Sequence, residues 1–215
     1  MSFTLALAAL ALSASTVPTE QDASQRAVRL AKRVHAHYSK VTDLEAEFVQ
    51  TYVRVALSRP TEKRGRIAIK KPYKVFMSYP SQGTRTYVDG ESVWYYKEGE
   101  DTAVRQPLDK EQFDSFSFFT GSSALEENFS IGSEAPEVHL PNGLEALVLT
   151  PKRGAQYRRV VLGVEPKTGV VLTTVMTLTS GDINRFDFKK VRTNVGLDDD
   201  RFEFSPPKGV EVVEP

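Results

Sequence analysis

Runs of alternating apolar and polar residues, each closed by a turn signal, recur from Leu44 to Phe204 and restrict this chain to a sheet-based fold. Leu44, Ala46 and Phe48 alternate with Glu45 and Glu47, as in a strand with one buried face, and the run continues through Gln50, Tyr52 and Val53. From Gly65 to Lys70, Ile67 and Ile69 stand against Arg66 and Lys70. The segments Lys74 to Tyr79, Arg85 to Val88, Ser92 to Lys97 and Ala103 to Gln106 follow, separated by Lys71-Pro72, Tyr79 to Gly83, Asp89-Gly90 and Glu98-Gly99. A second set runs through Glu145 to Thr150, Tyr157 to Val164, Val170 to Leu178, Asn184 to Val191 and Phe202 to Phe204. About ten strands at this spacing predict a large antiparallel sheet curled into a barrel or half-barrel.

The most aromatic hairpin is Tyr87 to Tyr96, which contains the only tryptophan, Trp94. Asp89-Gly90 supplies its turn between β-branched and aromatic runs. Such a hairpin is a wall that buries or grips apolar material, and it carries no reactive chemistry.

Two segments break the strand pattern. From Asp22 to Val41, Ala27, Leu30, Ala31, Val34, Tyr38 and Val41 recur at three- and four-residue steps, with Arg26, Arg29, Lys32, Arg33 and Lys40 largely on the other faces. This predicts an amphipathic helix with one buried stripe and a solvated basic face. Between the strand sets, Leu108 to Gly121 packs four phenylalanines into seven residues, followed by Ala124 to Phe129. Asp109 suits a helix cap with Gln112 three residues on, and Gly121 suits its end. Phe113, Phe116 and Phe119 share about one face. A mobile lid and a helix plugging the core both fit that periodicity.

The first residues differ in kind. Met1 to Val17 is uncharged and rich in Ala and Leu, and it ends in small residues that suit a signal-peptidase cut near Ala14. It is short for a membrane span, and an apolar helix packed on the domain is the alternative. The remainder, 22–215, reads as a single domain, since no Pro/Gly/Ser-rich linker divides it. An exported chain without cysteine has no disulfide and relies on its core. It also offers no cysteine for a lipid anchor, so a soluble periplasmic protein is expected.

Composition and motifs exclude several functions. With 28 basic and 28 acidic residues the chain lacks the positive field that nucleic-acid binders use. His35, His37 and His139 are too few and badly spaced for a metal site, and Asp198-Asp199-Asp200 lacks the spaced ligands of a calcium loop and reads as a solvated turn. No nucleophile elbow, P-loop or dinucleotide fingerprint occurs. No catalytic residue, metal or cofactor is expected. The basic run Lys63, Arg64, Arg66, Lys70, Lys71 and Lys74 fits a solvated strand face, with an acidic partner or lipid headgroups as the alternative.

Several short motifs stand in a fixed order: PheXxxGln at Phe48 to Gln50, a Gly-initiated strand ending in a basic residue and proline at Gly65 to Pro72, and TyrPro at Tyr79-Pro80. ValAspGlyXxxXxxValTrpXxxTyr at Val88 to Tyr96, LeuThrProLys at Leu149 to Lys152, and PheXxxPheXxxProProXxxGlyValXxxVal at Phe202 to Val212 continue it. Each motif is weak alone. Together, over nearly the whole mature chain, they resemble the LolA family of periplasmic outer-membrane lipoprotein carriers.

That resemblance implies a mainly β fold, an unclosed antiparallel β-barrel or half-barrel covered by an N-terminal helix and central α-helical lid. It implies a monomeric chaperone whose apolar cavity takes the acyl chains of lipoproteins from an inner-membrane ABC transporter and passes them to an outer-membrane acceptor. A carrier of free lipid or glycolipid, and a non-transport envelope-stress sensor or interaction module, are the alternatives on the same scaffold. The cavity wall expected here is Phe48, Ile67, Ile69, Val75, Met77 and Trp94, with Phe113, Phe116 and Phe119 on the lid. The family's arginine-proline falls at Lys71-Pro72, making Lys71 the expected lid latch, with a point charge in place of a planar fork. A solvated strand-end lysine is the alternative. The family's next aromatic falls at Val75, which reduces bulk, and Met77 adds an adaptable side chain.

Overall fold

The structure is a computed structural model that describes residues 19–57, 59–110, 124–154 and 156–214. The expected leader and the lid positions Phe113, Phe116 and Phe119 lie outside the described residues.

Twelve strands form one sheet: β1 (Asp43–Val53), β2 (Pro60–Lys70), β3 (Lys74–Tyr79), β4 (Thr84–Asp89), β5 (Ser92–Lys97), β6 (Thr102–Pro107), β7 (Phe129–Gly132), β8 (Glu145–Pro151), β9 (Tyr157–Val164), β10 (Val171–Leu178), β11 (Ile183–Thr193) and β12 (Glu211–Val213). Their order is β12-β6-β5-β4-β3-β2-β1-β11-β10-β9-β8-β7, so each half is a meander and the long strands β1 and β11 join the two. The end strands β12 and β7 do not pair, and the barrel is open. Every pairing is antiparallel except β12 beside β6, a parallel edge that the sequence pattern did not indicate.

The predicted N-terminal helix is α1 (Glu20–Tyr38). Thr19 caps it in a reciprocal box with Asp22: the Asp22 N–H donates to the Thr19 hydroxyl, and the Thr19 N–H donates to the Asp22 carboxylate. Ala27, Leu30, Ala31, Val34 and Tyr38 are its buried stripe, and Val41 stays buried just beyond its end. Each fully buried large side chain in such a stripe contributes roughly 1.5–3 kcal/mol, enough to hold a helix whose other face is charged. The turn between β9 and β10 grips α1 closely. A Cβ on Gly169 would lie 2.5 Å from the Arg33 carbonyl oxygen, and Arg33 donates to the Pro166 carbonyl. A second helix, α2 (Leu125–Asn128), is one turn long and precedes β7.

The sheet's inner face and α1 enclose the main core, which takes side chains from β1, β2 and β7 to β11. One departure from the sequence reading concerns the last residues. Phe202 to Phe204 is not a strand: Asp199–Phe202 is a 3-10 turn, and the chain then runs extended to β12. This segment crosses the outer face over β3 and β4, where every ladder position is already paired and no free edge exists to accept a strand. Phe202 is fully buried there. Asp198, Asp199 and Asp200 are exposed, as expected of a solvated turn, and the Asp199 carboxylate also accepts from Lys70 at 2.6 Å and Lys74 at 3.0 Å. Among the described residues no helix is long and apolar enough to cross a membrane.

Candidate functional site

The face of each side chain follows from register. Ile69 pairs with Val75, Val75 with Val88 and Val88 with Val93, giving one inward row, and Ile67 with Met77 lies on the same side. One residue along, Ala68, Phe76, Tyr87, Trp94 and Arg105 form the neighbouring row, which points outward because successive side chains alternate. Phe48, Ile67, Ile69, Val75 and Met77 therefore come together against the core beneath α1. Trp94 does not join them. Its ring lies 5.4 Å from Phe204 on the outer face, and its Nε1 donates to the Asp89 carboxylate at 3.1 Å. Placing Trp94 in the cavity wall is thus corrected by the register.

Phe48 is the centre of the inner wall. Its ring meets Tyr79 edge-on at 5.4 Å and Phe186 at 5.3 Å, and Phe186 stacks on Phe188 at 6.1 Å. Gly65, opposite Phe48 on β2, makes this possible: a Cβ there would stand 2.3 Å from Phe48 Cζ and 2.5 Å from the Ser78 carbonyl oxygen. Beyond the aromatics the inner face turns polar. The Tyr79 hydroxyl donates to Gln50 at 2.8 Å, and the Gln50 amide donates to Asn184 at 2.9 Å. Burial pushes the Tyr79 hydroxyl up to about 12. The sequence reading did not single out Tyr79, Gln50, Phe186 or Phe188. The TyrPro and PheXxxGln motifs contain the first two, whereas the pair on β11 is marked only by strand alternation.

At the other end of the inner face, Tyr38, Leu44, Ala46, Ile67, Ile69, Val171, Phe188 and Val191 line a hollow of about 20 Å³. That holds about one water, whereas sites for small ligands run to roughly 300–1,000 Å³. With α1 seated, this part of the face has no room for an acyl chain.

Lys71 reaches the end of that cover. Its Nζ donates to the Tyr38 carbonyl at 2.6 Å, at the last residue of α1, where the helix presents its negative end. Burial lowers the pKa of this ammonium from its ordinary value. The expected solvated basic run is also largely partnered. Lys70 and Lys74 meet Asp199, Lys63 sits 5.6 Å from the centre of the Tyr79 ring, and Arg64 pairs with Glu62.

The outer face holds its own cluster. Phe204 lies 5.2 Å from Tyr87 and 5.3 Å from Tyr96 as well as against Trp94, and the Arg105 guanidinium covers the indole at 5.3 Å. Burial raises the Asp89 pKa, but the N–H groups of Ser92 and Glu91 and the indole together outweigh it and hold the carboxyl below its usual range. Glu45 accepts from Arg201 at 2.8 Å and pairs with Arg192, tying the C-terminal segment to β1.

A covered apolar face on an open sheet is the arrangement the motif order implied, and residues 39–205 match the family described as outer membrane lipoprotein carrier protein LolA. The chain belongs to the LolA family. The outer-membrane lipoprotein carrier protein of Methylococcus capsulatus is 27% identical over 197 residues, covering 89% of this chain and 91% of that protein. The protein of the same name from Dechloromonas aromatica is 28% identical over 185 residues, covering 84% and 86%. A crystal structure of an uncharacterized conserved protein from Thermus thermophilus superposes with a TM-score of 0.54 at 16% identity, covering 86% of this chain and 97% of that one, a likeness of fold alone. The LolA match begins at Ser39, so the Lys71 bond reaches from inside the matched region to the helix just before it.

Proposed function

We propose that this chain is a periplasmic chaperone that holds the acyl chains of outer-membrane lipoproteins against its inner face, taking them from an inner-membrane ABC transporter and passing them to an outer-membrane acceptor. The observation that carries this reading is an apolar inner face covered by an amphipathic helix that one side chain, Lys71, fastens at its end. Leaving an acyl chain of about fifteen methylenes in water costs roughly 12 kcal/mol at ~0.8 kcal/mol per CH₂. A carrier must replace that burial reversibly. Displacing α1 exposes the apolar row of Phe48, Ile67, Ile69, Val75 and Met77, and an acyl chain then takes the place of the helix stripe with little net change in buried area. Lys71 is the latch of this exchange. The aromatic segment with Phe113, Phe116 and Phe119 is read from the sequence as a second cover. No bond is made or broken, so no catalytic group is required.

The test is complex formation between the purified protein and an acylated lipoprotein, with the deacylated form as control. A photocrosslinker at Val75 or Phe116 should capture the acylated form only. Equal behaviour of the two forms would sink the proposal, and bound free lipid without lipoprotein in mass spectrometry would redirect it to a lipid carrier.

A further inference from the structure

Two hairpin ends meet at one end of the sheet, where β1 leads out of the inner face through Gln50 and Tyr52. The turn after β1 and the turn joining β10 to β11 are tied by Asp182, whose carboxylate accepts the Val55 N–H at 3.0 Å and the Tyr52 hydroxyl at 2.9 Å. A Cβ on Gly181 would lie 3.5 Å from Val55 Cγ2. A turn fixed in this way has the means to fold its apolar side chains inward, yet Val55 is 60% exposed, Leu57 61% and Ile183 36%. Three large apolar side chains stand in water on an organised rim.

The charge around them is predominantly positive, with the Asp182 carboxylate beside Arg54 as the local counter-charge. Arg54, Arg59, Lys63 and Arg64 lie between residues 54 and 64 with one carboxylate, Glu62, which pairs with Arg64. The whole chain is neutral, so this is a local concentration of cations. Apolar tips among arginines match an interfacial anchor, in which apolar groups enter the headgroup boundary and guanidinium groups meet phosphates. A protein partner fits less well. Stable protein interfaces bury at least ~1,200 Å², far more than three side chains offer, whereas interfacial anchoring needs only a few apolar groups and favourable charge.

We propose that the rim formed by Val55, Leu57 and Ile183 docks on the surface of a bilayer containing anionic phospholipid, with Arg54 and Arg59 on its phosphates. The docked rim sets the polar end of the inner face, at Gln50 and Tyr52, against the membrane. This goes beyond the carrier reading, because it concerns the empty protein and a lipid surface rather than cargo.

The chain has no cysteine, so Leu57→Cys accepts a single environment-sensitive fluorophore without background. On vesicles of phosphatidylethanolamine with phosphatidylglycerol, the label at 57 should shift to the blue, and the shift should fade as salt rises. The same label at Lys208→Cys, on the exposed C-terminal segment, should not respond. Leu57→Asp should lower the fraction that sediments with these vesicles by roughly tenfold, the scale of withdrawing one leucine from an apolar phase. Circular dichroism should show the fold unchanged, since Leu57 supports no core packing. A label at 57 that stays in water, a response at 208 instead, or equal binding to pure phosphatidylcholine vesicles would each overturn the docking rim. These measurements use cargo-free protein, so their failure leaves the carrier reading standing.

Discussion

The Lys71 ammonium donates to the Tyr38 carbonyl across 2.6 Å and joins the end of β2 to the last turn of α1. The same carbonyl accepts the Val41 N–H at 3.2 Å, so Lys71 is a second, charged donor at the negative end of the helix. Lys71→Met keeps most of the stem and deletes the donor. The expected cost is about 1 kcal/mol, because the group is only partly buried and water can take over the carbonyl. Hydrogen exchange should speed up at the end of α1, including the Ser39 amide that donates to His35, while β8 and β9 stay protected. Lys71→Arg should slow the same amides through its extra donors. Unchanged exchange in both variants would remove the latch.

Alkaline pH should loosen the same helix. Burial raises the Tyr38 hydroxyl to about 12, partly offset by the Val171 N–H that donates to it, and burial raises Tyr79 to about 12. The folded values lie above the ordinary 10.0, so the unfolded chain loses these protons first. Their contribution is complete below about pH 10 and is lost as pH rises through about 12. Urea midpoints should fall between pH 9.5 and pH 11.5, values that bracket the ordinary tyrosine range. Tyr79→Phe, which removes one of the two hydroxyls, should make the fall shallower. An equal slope in that variant would show that Tyr79 ionises as it does in water.

Gly65 leaves no room for a side chain. Gly65→Ala drives a methyl group into Phe48 and into the Ser78 carbonyl, and backbone cannot rotate aside as a side-chain tip can. The expected loss is about 2–4 kcal/mol, in the range of overpacked cores. Thermal unfolding should detect it. Adding Phe48→Leu should restore part of the loss, since the nearest clash is with the far end of the phenylalanine ring.

The sheet was legible because alternation has a period of two and each turn carried its own residues, as at Asp89-Gly90. Which face a run presents is set by the register between strands, and one sequence does not reveal that register. Trp94 shows the consequence: Val93 and Trp94 are both apolar neighbours, and only the pairing of Val93 with Val88 assigns the indole to the outside. The cover that makes an outer aromatic row stable is Phe204, more than one hundred residues away. Phe202 and Phe204 have the spacing of a strand but lie on a sheet face, and spacing does not separate the two cases. The partners of Lys71 and of the Lys70, Lys74 and Asp199 trio were equally hidden, since a main-chain carbonyl has no sequence signature and the ion pairs span the chain.

The outer placement of Trp94 gives a cargo test from the native fluorophore. It is the chain's only tryptophan, so all indole emission comes from the outer face. A brominated or spin-labelled acyl ligand on the inner face should leave that emission nearly unchanged, because the sheet lies between them. Val75→Trp in a Trp94→Phe background puts the indole on the inner row, and the same ligand should then quench it strongly. Phe204→Ala supplies the converse. Removing the ring that touches Tyr87, Trp94 and Tyr96 should shift native emission to the red and cost about 2–4 kcal/mol, with ligand binding retained. Strong quenching of native Trp94 by the acyl ligand would instead mean that cargo binds over the C-terminal segment, and the inner face would lose its assigned role.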